Sequence, residues 1–97
     1  ADATGQRSSL RAYTGTIPDY ATEVDGLLLS GVSEGGPADL AGLRGGDVIV
    51  EFDGRAIANI YDYTYALDAV KIGLRVKVVF LRDGERHETT ITPRARK

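Results

Sequence analysis

The 97-residue chain contains no cysteine, no methionine, no tryptophan and a single histidine. Without cysteine there is no disulfide, no thiolate zinc site and no cysteine nucleophile. A disulfide-free fold suits reducing and oxidising compartments alike. His87 stands alone, whereas a serine triad needs a histidine between a nucleophile and an orienting acid. In its place in a strand pattern it reads as a cross-strand partner of Phe80. His87-Glu88 opens like a zinc-protease motif, but Ile91 stands where the second histidine belongs. The carboxylates Asp19, Glu23 and Asp25 lack the regular spacing of a calcium loop, so no metal and no cofactor is expected. Glycine-rich runs at 35–36 and 42–46 lack a following Lys-Ser or Lys-Thr and the Gly-x-Gly-x-x-Gly spacing, which argues against phosphate binding. A net charge of -2 gives no general pull toward nucleic acid. Tyr61, Tyr63 and Tyr65 alternate at steps of two, so on a helix they are no stacking platform for bases, and at least one is expected in the core. No apolar run reaches the roughly 18 residues of a transmembrane helix, so no direct membrane insertion is expected. A chain that starts at Ala1 and lacks methionine reads as a mature or excised product.

What is present suits one small globular domain: 42% apolar and 27% charged residues in 97. A chain of this length buries roughly two-thirds of its unfolded surface, enough for one modest core. The organising stretch runs from Gly31 to Gly54. Pro37 suits the first turn of a short helix, Ala38, Leu40 and Ala41 continue it, and Gly42 ends it. Leu43 follows as an apolar plug, and Gly45-Gly46-Asp47 turns the chain. Val48, Val50 and Phe52 then alternate onto one strand face, with Glu51 and Asp53 on the other.

Around that stretch, residues 1–10 are small and polar and read as a flexible linker. Arg11 to Pro18 and Leu27 to Val32 read as extended segments, and Arg55-Ala56-Ile57 as a very short one. Ile60, Tyr63, Leu67 and Val70 recur at helical spacing, which predicts a helix from Ile60 to Ile72, capped by Asn59 or Asp62 and ended by Gly73. Arg75 to Arg82 and Glu85 to Thr92 form a hairpin about Asp83-Gly84, pairing Arg82 with Glu85, Phe80 with His87, Val78 with Thr89 and Val76 with Ile91. Pro93 ends the strand, leaving 94–97 as a basic tail.

The order Gly-Pro-Ala, Ala-Gly-Leu, Gly-Asp-Val-Ile and Asp-Gly within Gly31–Gly54 strongly resembles the PDZ domain family, over residues 11–93. The resemblance implies an α+β fold: a partly open β-barrel or sandwich of five to six strands with one short and one longer helix, in the bacterial, circularly permuted arrangement. It also implies a non-catalytic module that binds an extended peptide, usually a protein C-terminus, by strand addition between one strand and the longer helix. The loop that would hold the peptide carboxylate on its backbone N–H groups matches Tyr13-Thr14-Gly15-Thr16. Thr14 and Thr16 are polar where the family is apolar. Arg11 lies two residues upstream, where a cation would help. The groove strand continues through Ile17 and Pro18, and Pro18 removes one ladder donor. A lost neutral hydrogen bond is worth about 0.5–1.5 kcal/mol, up to roughly tenfold in affinity. Ile60, Thr64 and Leu67 form the opposite wall, with Leu67, Thr16 and Ile17 around the pocket for the last side chain. Thr64 would face the ligand residue two before the last, and a threonine there, with no histidine, implies an apolar residue at that position rather than serine or threonine. Two further runs, 15–20 and 59–67, are similar to PDZ modules of bacterial zinc-dependent aminopeptidases. The parent expected is therefore a larger peptidase, periplasmic, otherwise extracytoplasmic or secreted. Partners expected are peptide or protein C-termini. The alternative is a structural or regulatory domain that docks in cis on its parent peptidase and binds no peptide independently.

Overall fold

A computed structural model describes residues 12–19 and 24–95. The expected linker at 1–10, Arg11 and Glu23 lie outside the described residues. In chain order the elements are β1 (Ala12–Tyr13), β2 (Thr16–Pro18), β3 (Leu27–Val32), α1 (Pro37–Leu40), β4 (Val48–Phe52), β5 (Arg55–Ala56), α2 (Ile60–Ala69), β6 (Val76–Arg82), β7 (Glu85–Ile91) and β8 (Arg94–Ala95). The larger sheet runs β2-β3-β4-β6-β7, with β5 attached to β4, and β1 pairs with β8 in a small second sheet. Among the described residues both sheets are open and neither closes into a barrel. The result is the expected α+β domain with one short and one longer helix.

The hairpin has the expected register, from Val76 opposite Ile91 to Arg82 opposite Glu85. Asp83 and Gly84 have φ of 54° and 80°, as a tight turn with the hand of the flanking strands requires. His87 stacks on Phe80 with ring centres 5.5 Å apart. α1 starts at Pro37 and gives way to Gly42, and Leu43 is buried beneath it.

Three expectations are corrected. In β4 the pairing with β6 skips a residue between Ile49 and Glu51. One extra residue reverses the alternation. Ile49 and Phe52 are therefore buried, while Val48 and Val50 are only half-buried. α2 ends at Ala69 rather than Ile72. Val70 is already extended, with ψ 156°, and the Gly73 N–H donates to Pro93 O at 2.9 Å. The chain must turn there to enter β6. The start of α2 is capped reciprocally: Asn59 Oδ1 accepts from the Asp62 N–H, and Asp62 Oδ2 from the Ala58 N–H. Finally, Arg94 and Ala95 belong not to a tail but to β8, opposite Tyr13 and Ala12. Pro93 lacks an N–H and leaves the β6 ladder, yet the chain continues extended.

The core gathers Leu29, Leu43, Ile49, Phe52, Val78 and Ile91 between the larger sheet and the two helices. Tyr63 joins it from α2, edge-on to Phe52 at 5.2 Å between centroids. Gly26 enters β3 with φ +140°, and a Cβ there would come within 2.7 Å of Ile49 O and of a Val48 methyl. Gly26→Ala is expected to cost about 2–3 kcal/mol, seen as a lower urea midpoint at unchanged m-value.

Candidate functional site

A groove of about 300 Å³ opens between the 12–18 segment and α2. Its first wall carries Tyr13, Thr14, Gly15, Thr16 and Pro18, and its second Ile60, Thr64 and Leu67. The expected site residues are thus brought together, except for the side chain of Ile17. In a strand neighbouring side chains point to opposite faces, so Thr16 and Pro18 face the groove while Ile17, 45% exposed, does not line it.

The loop at the head of the groove is fixed from behind. Gly15 has φ +76°, and its carbonyl accepts the Ser33 N–H at 2.8 Å. The Thr14 carbonyl accepts the Ala38 N–H at 2.8 Å, tying the loop to the start of α1. β2 is an edge strand of the larger sheet, so among the described residues no strand pairs with one of its sides. Its pairing with β3 shifts between Ile17 and Pro18, and the Ser30 hydroxyl donates to Ile17 O at 3.1 Å. Pro18 therefore sits at an edge and at an irregularity, the two places where a sheet accepts proline.

Three hydroxyls meet beneath the loop. Thr14 Oγ1 lies 2.8 Å from Tyr63 Oη, and Thr16 Oγ1 lies 3.2 Å from each of them. Thr14 and Tyr63 are almost wholly buried. Burial pushes the Tyr63 phenol up, only partly offset by its threonine partners, so it stays protonated and available to donate. Tyr63, Ala12 and Asp68 also line the groove, and none of them was among the residues expected there. The helical spacing marked Tyr63 as inward-facing, but not what its hydroxyl reaches.

A second polar contact lies away from the groove. Asp47, 1% exposed, accepts from Arg82 Nε at 2.9 Å, Arg82 Nη2 at 2.7 Å and the Arg44 N–H at 2.9 Å. Burial pushes the carboxyl up, but these hydrogen bonds and the two arginine charges outweigh it and hold it below its ordinary value. Arg82 Nη2 also donates to Gly42 O, so the hairpin is tied to the end of α1. Among the described residues no cluster of three metal-ligating side chains occurs. No helix among them is long and apolar enough to cross a membrane.

The fold and the loop-headed groove define a class, and comparison with known proteins agrees. The family model described as "PDZ domain" matches residues 7–92, and the chain belongs to this family. A probable periplasmic serine endoprotease, DegP-like, from Marinomonas sp. (strain MWYL1) is 36% identical over 72 residues, 74% of this chain and 15% of that protein. A putative zinc metalloprotease from Thermotoga maritima is 35% identical over 72 residues, 71% of this chain and 14% of that protein. Among solved structures, the HtrA-type protease AlgW with decapeptide superposes with a TM-score of 0.82 at 24% identity, over 91% of this chain and 30% of that one. An aminopeptidase N family protein from Idiomarina loihiensis superposes with a TM-score of 0.76 at 24% identity, over 91% of this chain and 14% of that one. The chain thus spans about 15% of the length of the curated relatives it matches, as a non-catalytic module of proteases does.

Proposed function

We propose that this chain is the peptide-binding module of a larger envelope or secreted protease. It takes an extended peptide, free at its C-terminus, as an added strand on the open side of β2. The carboxylate rests on the backbone N–H groups of Thr14, Gly15 and Thr16, and α2 presents Ile60, Thr64 and Leu67 to the side chains. The observation that carries this reading is the edge strand β2, which borders a groove walled by α2 and headed by the Gly15 loop. The periplasmic description of the DegP-like relatives supports the same compartment here, and the AlgW structure with decapeptide supports the ligand class.

Pro18 favours a second reading. Because Pro18 on the groove wall has no N–H, the ladder to a peptide is short by one bond, and a partner held in cis would need fewer. The parent's peptidase domain is then the occupant, and a zinc aminopeptidase remains one such parent. The test is a backbone NMR titration with apolar-ended peptides carrying free or amidated C-termini. Shifts at 14–17 and 64–67 that vanish on amidation are expected from strand addition. Binding indifferent to amidation would point to internal segments. No shifts at millimolar peptide would sink independent binding and leave docking in cis.

A further inference from the structure

The head of the groove has an oxygen floor. Tyr63 reaches from α2, beneath the groove, to Thr14 and Thr16 on the opposite wall. Its ring is held from below by Phe52, edge-on, so it has no room to swing down into the core. The three hydroxyls own three hydrogens between them, and a closed ring of three hydrogen bonds uses all of them. Each oxygen then keeps one lone pair, so the floor accepts hydrogen bonds and donates none outward. Thr16 is the half-buried member, the one still open toward a ligand.

We propose that the Thr14–Thr16–Tyr63 triangle makes this groove selective for peptides whose last side chain is small, and best a serine. The inference rests on the peptide reading above. With the carboxylate on the Gly15 loop, the last side chain descends between Leu67 and the triangle. A hydroxymethyl donates to the vacant lone pair of Thr16. A methyl fits without disturbing it. A leucine or phenylalanine side chain meets the tyrosine crossbar and strips water from that oxygen without replacing the bond. Selectivity for a large apolar end, which the apolar wall residues alone suggest, is thereby reversed.

The test is a set of otherwise identical free-acid peptides ending in Ser, Ala, Val, Leu or Phe, measured by fluorescence anisotropy. Ser and Ala ends are expected to bind about tenfold tighter than Leu and Phe ends. The triple variant Thr14→Val, Thr16→Val, Tyr63→Phe removes all three hydroxyls at constant shape, so no buried partner is orphaned and folding is retained. It is expected to abolish the Ser advantage and favour the Leu end. Should it fail to fold, Tyr63→Phe alone is expected to narrow the Ser-over-Leu ratio by about threefold. Leu or Phe ends preferred by the unaltered protein would overturn the inference while leaving the groove reading intact. So would an unchanged ranking in the folded triple variant. If no peptide of the set binds, independent peptide binding itself falls, and the inference falls with it.

Discussion

Asp47→Ala is expected to lower stability by about 3 kcal/mol, a drop in melting temperature of about 10–20 °C. The carboxylate is among the most deeply buried polar groups of the described residues, and its removal strands two partners. The Arg44 N–H loses its acceptor, and Arg82 loses two of its three contacts. The Arg82 side chain is 26% exposed and recovers some hydration, which keeps the cost at the low end of buried-pair losses. Asp47→Asn keeps the shape and one acceptor, and should cost about half as much. The same contacts set a pH dependence. The folded carboxyl sits below its ordinary 3.8, so its stabilisation is present above that value and is lost as pH falls through the folded one. The stability gap between the natural protein and Asp47→Asn, from urea unfolding, should therefore be full at about pH 7 and smaller at about pH 2. An equal gap at both would show that the charge is not what stabilises.

Neither this contact nor the hydroxyl triangle was legible in the sequence, and for the same reason. Asp47 and Arg82 are 35 residues apart, and Thr14 and Tyr63 are 49 apart. No period or local rule links them. They meet only because β4 pairs β6 and α2 crosses behind the Gly15 loop. What was legible rests on short-range constraint. Asp83-Gly84 fixed the hairpin register, because few other turns match the strand twist. Pro37 and Gly42 bounded α1, since each fits a helix end and few other places. The groove walls followed from the resemblance of 13–16 and from helical spacing. Ile17 lies off the pocket because strand parity from Thr16 turns its side chain to the opposite face. Val48 and Val50 depart from simple alternation because the bulge at Val50 breaks the strand parity, and no local residue pattern marks that bulge.

Gly15→Ala is expected to reduce affinity for a free-acid peptide by at least about 100-fold while lowering the melting temperature only modestly. At φ +76° a side chain is strained, at a cost of about 1–2 kcal/mol. The loop can relieve that strain by turning Gly15 to negative φ. Its carbonyl then leaves Ser33, and the adjoining N–H groups no longer converge on one point. A carboxylate held by several such groups loses charge-assisted bonds together, which is why the effect on binding exceeds the effect on stability. The variant needs a control with the same strain and no groove. Gly35 supplies it: its φ is +75°, a Cβ there meets nothing within 4 Å, and it does not line the groove. Gly35→Ala should cost comparable stability and leave the affinity unchanged. Calorimetric titration of both variants with one peptide separates the two effects. Equal affinities would remove the carboxylate from the Gly15 loop, and with it the strand-addition geometry. A loss confined to Gly15→Ala would make the conformation of that loop, and not the stability of the domain, the quantity that sets binding.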